Sequence, residues 1–308
     1  MDWRVKGMIQ KVLGYVPEGD RIHYWLQRRG GGLADFDREC DIKVDDWGLM
    51  IGHLRDAKIP IVGTRFLEMG TGWYPTFPFA LFLGGAKSVD TLDLNPHLKP
   101  DRVLALVARL ERHVGRIAEM SGRPVKEVAS EQQELAAAIR RGAPLDEATG
   151  GVVRYRAPAD ASDTKLPAKS IDVVFSNSVL EHVPGDVIAA CFAEARRVLR
   201  AGGIVFHSVN CGDHYAYVDK TITQLHYLQY SDDEWAKWNN RFLYQNRLRA
   251  IDFTKMAKDA GFAIELDTSR AKPERLKLLD EMRVAPCFDR YSRDQLAITS
   301  IDFIGRNP

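Results

Sequence analysis

The sequence holds no run approaching the ~20 consecutive apolar residues that a membrane span requires, and Met1-Asp2-Trp3-Arg4 lacks the apolar core of a signal peptide. No membrane partner and a cytoplasmic location are therefore expected. Cysteine is scarce: Cys40, Cys191, Cys211 and Cys287 lie far apart, with neither a Cys-x-x-Cys pair nor zinc spacing. No disulfide framework and no metal site are expected. Excess charge is almost absent, at +1 from 43 Lys and Arg against 42 Asp and Glu, so there is no field to gather a polyanion and nucleic acid is excluded as the default partner. The basic stretches Arg21 to Arg29 and Arg241 to Arg249 are interleaved with apolar residues and read as helical faces. No Pro/Ser-rich linker or low-complexity tract divides the chain, which reads as one domain with additions.

The 308 residues, 45% of them hydrophobic, suffice to bury a core without a partner, and a homodimer is left open. From about residue 65, short β-branched runs alternate with helical segments, the pattern of an α/β protein whose parallel sheet is covered on both faces. The runs are Arg65 to Glu68, Ser88 to Asp93, Val152 to Tyr155, Ile171 to Phe175 and Ile204 to Ser208. Pro75 falls where a helix begins, and that helix should end near Gly84-Gly85. Val187 to Leu199 has helical spacing and is expected to stop at Ala201-Gly202-Gly203 before the fifth strand. Ala263 to Leu266 and Gln295 to Ile304 read as a closing strand pair. Residues 1–60 are expected to form a helical cap and 61–308 the main domain. Insertion 95–150 carries the apolar stripe Val103, Val107, Leu110, Val114 and Ile117, and insertion 211–250 reads as an aromatic-rich lid.

The most informative string is Phe66-Leu67-Glu68-Met69-Gly70-Thr71-Gly72-Trp73, a strand ending in an acid and a glycine turn where backbone can approach a ligand closely. A dinucleotide fingerprint would place a third glycine at position 75, which is proline. Glu68 would also repel a pyrophosphate, whereas a cationic ligand tolerates it. Both features lead away from NAD. Asp93 ends the second run 25 positions after Glu68, where a carboxylate can accept from both ribose hydroxyls. The competing reading of Asp93 is a turn residue before Asn95-Pro96. Asp160-Ala161 follows the third run, with Asp163 as the rival acid.

These strings, with Ser170 to Phe175, Ser176-Asn177-Ser178 and Val179-Leu180-Glu181-His182-Val183, resemble the class I S-adenosylmethionine-dependent methyltransferases, the branch with a Leu-Glu-His-Val segment in particular. The resemblance covers roughly residues 62 to 210, and more loosely extends to 304. It implies a Rossmann-like, seven-stranded, mostly parallel sheet with helices on both faces and an antiparallel last strand. It further implies S-adenosyl-L-methionine as cofactor and S-adenosyl-L-homocysteine as product. Glu68, Met69, Gly70, Thr71, Gly72 and Trp73 would hold the methionine end, Asp93 and Leu94 the ribose, Asp160 and Ala161 the adenine, and Asn177 and Ser178 would flank the methyl group. Trp73-Tyr74-Pro75 departs from the family's usual continuation of the glycine loop.

A hydroxyl acceptor asks for a general base, usually histidine. His214, in Asp213-His214-Tyr215 just past the fifth run, is the leading candidate, with Asp213 available to orient it. His182 and His207 are the others, each with a structural alternative as loop anchor or core residue. Tyr215, Tyr217, His226, Tyr244 and Arg247 are candidate substrate contacts, with a packed lid as the alternative. The expected activity is methylation of a small molecule at oxygen in a sugar or natural-product pathway. The alternatives are aminocarboxypropyl transfer, internal cyclisation of the cofactor, and a non-catalytic cofactor-binding scaffold.

Overall fold

The five apolar runs become five strands of a seven-stranded sheet. The computed structural model describes residues 1–17, 22, 24, 35–240 and 242–308. In it β1 (Arg65–Met69), β2 (Ser88–Leu92), β3 (Val153–Arg156), β4 (Ile171–Asn177), β5 (Leu199–Asn210), β6 (Ala263–Asp267) and β7 (Ser300–Arg306) lie in the order β3-β2-β1-β4-β5-β7-β6. The pairs β1–β2, β1–β4 and β2–β3 are parallel. Strand β7 runs against β5: the Cys211 amide donates to the Thr299 carbonyl at 2.9 Å and the Gly202 amide to the Asn307 carbonyl at 2.7 Å. Among the described residues no helix is long and apolar enough to cross a membrane. Most of the Arg21 to Arg29 stretch, and Arg241 of the second basic stretch, lie outside the described residues.

The chain divides into two compact units. The first comprises residues 35–177, 193–206 and 306–308. Phe66, Leu67, Val89, Val173, Val174, Phe175, Ile204 and Val205 are fully buried there, as expected of strands covered on both faces. Helix α2 (Phe36–Asp56) packs against α3 (Thr76–Leu83). The stripe Val103, Val107, Leu110, Val114 and Ile117 is buried on α4 (Pro100–Leu110) and α5 (Val114–Ser121), each side chain contributing roughly 1.5–3 kcal/mol. Helix α6 (Val125–Arg140) lies across them, with Gln132 Nε2 donating to the Val107 carbonyl at 2.8 Å.

The second unit comprises residues 1–34, 178–192 and 207–305. Its described amino-terminal helix, α1 (Trp3–Leu13), inserts Trp3 among the rings of Tyr215, His226, Tyr230 and Trp238. The Trp3 amide donates to Asp219 at 3.0 Å. Tyr227, Leu228, Trp235, Phe288 and Leu296 extend this core.

Two boundaries differ from the sequence expectation. Leu199, expected as the last helical residue, and Ala201 to Gly203, expected as the helix stop, already belong to β5, which follows α7 (Gly185–Val198) directly. The reason is pairing: Asn307 Nδ2 donates to the carbonyls of Leu199 and Arg200, and the Asn307 amide to Gly203. Gln295 to Ala297, expected as strand, is helical because Ser292 and Gln295 form a reciprocal capping box; β7 starts at Ser300.

Candidate functional site

Where β1 ends, the chain must turn sharply, and Gly70 (φ 84°) and Gly72 (φ 68°) supply the left-handed backbone. A Cβ at Gly72 would meet nothing within 4 Å, so the backbone angle, not space, demands glycine there. The Gly70 amide donates to the Leu92 carbonyl at 2.8 Å, and the Gly72 amide to Asp93 Oδ2 at 2.8 Å. Asp93 Oδ1 accepts the Asn95 amide at 2.9 Å, so Asp93 both closes the glycine turn and starts its own. The Ala159 amide donates to the Asp93 carbonyl at 2.8 Å, which brings the segment before Asp160-Ala161 alongside. These loops sit at the carboxyl ends of parallel strands, where open α/β sheets place ligands.

Glu68 is buried and accepts the Thr91 hydroxyl, which lies 2.5 Å from that of Thr71. Burial pushes its carboxyl up to about 8, against the opposing pull of the Thr91 hydrogen bond and the Lys43 ammonium. Lys43, from α2, donates to Asn177 Oδ1 at the end of β4 and lies 3.6 Å from Asp46. Sequence reasoning missed Lys43, because nothing in the helix composition marks a residue whose partner is 134 positions away. Met69 is buried, while Leu94 is 70% exposed. The Trp73 and His97 rings meet at a tilt of 37°, 4.3 Å between centroids, and Tyr74 accepts from Arg102 at 2.8 Å, anchoring Trp73-Tyr74-Pro75.

Asp160 Oδ1 accepts both the amide and the hydroxyl of Ser162, at 2.8 and 2.7 Å, and these bonds hold its carboxyl below the usual range. Its loop is fastened by Glu194, which accepts the Thr164 amide at 2.9 Å, the Thr164 hydroxyl at 2.5 Å and the Arg197 guanidinium at 2.7 Å. Arg197 and Thr164 together hold the Glu194 carboxyl down at about 2.

In the second unit, one ligand-type atom each of Glu181, His182 and His214 lies within 4.8 Å of the others. His182 Nδ1 bonds to the Tyr244 carbonyl at 2.7 Å; a carbonyl can only accept, so Nδ1 carries the proton. The rings of His182 and His214 meet edge-on, 4.8 Å between centroids. Burial, followed by the nearby His182 and Lys6, pushes His214 down to about 3, and burial lowers His182 as well. Both imidazoles are neutral at physiological pH. Buried His214 Nε2 has no hydrogen-bond partner among the described residues. The Tyr217 ring is 5.6 Å from His214, and its hydroxyl accepts from Asn210. Ser178, with φ 56°, donates its amide to the Ser208 carbonyl at 2.9 Å.

Other residues singled out in the sequence are tied into the scaffold. Asp213 orients His226, 2.9 Å from its Nδ1, rather than His214; Tyr230 bonds the other nitrogen of His226. The Tyr215 hydroxyl donates to the Trp238 carbonyl from within the core. Arg247 is buried, bonded to the carbonyls of Tyr227 and Tyr230 and to Asp232, with its guanidinium 4.9 Å from the Phe288 ring centre. His207 lies fully buried between Phe192 and Phe303, and desolvation lowers it to about 3.

Residues 123–207 match the family model described as a methyltransferase domain. No curated protein matches the chain. Among solved structures, a candidate sarcosine dimethylglycine methyltransferase from Galdieria sulphuraria is 15% identical, over 88% of this chain and 87% of its own, with a TM-score of 0.45. An S-adenosylmethionine-dependent methyltransferase from Mesorhizobium loti is 16% identical, over 83% and 96%, with a TM-score of 0.39. Magnesium protoporphyrin IX methyltransferase from Synechocystis PCC 6803, solved with S-adenosylhomocysteine, is 13% identical, over 86% and 82%, with a TM-score of 0.44. The family match spans α6 to the middle of β5, and the glycine turn that closes β1 is joined to the acid that follows β2 in a seven-stranded sheet of order β3-β2-β1-β4-β5-β7-β6.

Proposed function

We propose that the protein transfers the methyl group of S-adenosylmethionine to a hydroxyl of a small-molecule acceptor, of the kind found in sugar or natural-product pathways. Glu68 to Trp73 hold the methionine end, Asp93 and Leu94 the ribose, Asp160 and Ala161 the adenine, and Asn177 and Ser178 flank the methyl group. Lys43, bonded to Asn177, is added to this set as a counter-charge for the methionine carboxylate.

The observation that carries the choice of oxygen is the pair of neutral imidazoles, His182 and His214, one with a buried, unengaged nitrogen. Methyl transfer from a sulfonium is an in-line displacement in which the hydroxyl proton must leave as the carbon–oxygen bond forms. His214 accepts that proton, and His182 is fixed beside it by the Tyr244 carbonyl. Exposed Tyr217 and half-buried Tyr244 are the aromatic side chains left to flank the acceptor.

The test is incubation with S-adenosylmethionine and a panel of hydroxylated sugars and phenols, followed by mass analysis of products. Methyl ethers with equimolar S-adenosylhomocysteine are expected. Products methylated only on nitrogen, or release of methylthioadenosine, would contradict the reading.

A further inference from the structure

We propose that Glu181, His182 and His214 form a binding site for one divalent transition-metal ion of the zinc type. Three features of the cluster point there. The donor set is a carboxylate and two imidazoles, which suits Zn²⁺, Fe²⁺ or Mn²⁺ and is poor for the all-oxygen preference of Ca²⁺. His182 gives its Nδ1 proton to the Tyr244 carbonyl at 2.7 Å, which fixes the ring and leaves Nε2 as a lone pair. This is the outer hydrogen bond that metal-ligating histidines commonly make. His214 holds Nε2 buried without a partner among the described residues, so a donor or cation is missing where one would be favourable.

The supports of the three ligands are themselves fixed. Asn246 Nδ2 donates to the carbonyls of Leu180 and Val183, at 2.7 and 2.8 Å, clamping the turn that carries Glu181 and His182. The His214 amide donates to Gln245 Oε1 at 3.2 Å, and Glu181 Oε1 accepts the Asn210 amide at 3.3 Å. Metal–ligand distances of ~2.1 Å in a tetrahedral site place ligand atoms ~3.4 Å apart, closer than the 4.8 Å limit that bounds the present cluster. Side-chain rotation on the clamped backbone closes that gap.

The site deepens the function proposed above and rests on it only for its use: with the ion bound, His214 serves as ligand, and the ion lowers the pKa of a bound hydroxyl in place of the free base. Binding itself is tested without turnover. Chelator-treated, desalted protein is titrated with Zn²⁺ alone, by equilibrium dialysis with elemental analysis, and S-adenosylmethionine affinity is measured on the same samples. The expected result is one Zn²⁺ per chain, with a Kd raised at least tenfold in His214→Ala and in Glu181→Gln while S-adenosylmethionine affinity is unchanged. Wild-type protein that binds S-adenosylmethionine but no stoichiometric Zn²⁺ overturns the site. So does Zn²⁺ binding that both folded variants retain at wild-type strength, because the ion then sits elsewhere.

Discussion

The Gly72 amide donates to the Asp93 carboxylate at 2.8 Å, so the acid after β2 shapes the glycine turn after β1. The second Asp93 oxygen accepts Asn95, and each oxygen keeps a lone pair for a ribose hydroxyl. Asp93→Ala is expected to weaken S-adenosylmethionine binding by roughly 1.5–3 kcal/mol, through two lost charge-assisted bonds and a loosened turn. Calorimetric titration of a variant with an unchanged circular dichroism spectrum checks this. An unchanged Kd removes Asp93 from the site.

Glu68 carries a proton test of the same site. Burial raises its carboxyl from 4.5 to about 8, so it is largely protonated at pH 7 in the free protein. A raised acid favours the folded state fully below the unfolded value and loses that contribution as pH rises from about 4.5 to 8. A bound sulfonium and ammonium favour the ionised form, so cofactor binding at pH 7 should release up to about one proton. Titration in two buffers of different ionisation enthalpy reads that release, and Glu68→Gln should abolish it. Identical heats for wild-type protein in both buffers would contradict the assignment.

Glu194 ties the Asp160 loop to α7 through Thr164 and Arg197. Its carboxyl is depressed to about 2, so its contribution is present above the ordinary carboxylate range and is lost as pH falls from about 5 toward 2. Glu194→Ala should lower stability by roughly 2–3 kcal/mol, with half-exposed Arg197 adding less than a buried partner would. Urea melts at pH 7 and pH 3 should differ less for the variant than for the wild type. An equal pH dependence would show that other carboxylates govern the acid limb.

Arg247→Ala should destabilise the protein by roughly 3–5 kcal/mol, since it strands the carbonyls of Tyr227 and Tyr230 and empties a buried site beside Trp235 and Phe288. Thermal melting measures it. A stable variant with a raised acceptor KM would instead restore Arg247 to the acceptor site.

What could be read from the sequence was local in kind. Leu67 to Gly72 announced a strand, an acid and a turn because each depends on its immediate neighbours, and Asp93 followed from the length of one crossover. The last strand begins later than its pattern suggests because Ser292 and Gln295 cap a helix first, and β5 begins earlier because Leu199 pairs with Asn307, 108 positions away, and no local signal reports that. The same holds for the candidate site. Asp213 neighbours His214 in sequence, yet it serves His226, since the turn at Asp213 directs its carboxylate inward. Arg247 reads as a substrate contact until Asp232 and two carbonyls are seen to enclose it. Glu181, His182 and His214 meet only in the folded chain, and Lys43 is found only through Asn177.

The central claim is the cofactor, and the most direct measurement is calorimetric titration of the folded protein with S-adenosylmethionine, S-adenosylhomocysteine and NADH. Micromolar binding of the first two and none of NADH is predicted. Silence toward both sulfur nucleotides, or binding of NADH alone, would contradict the account.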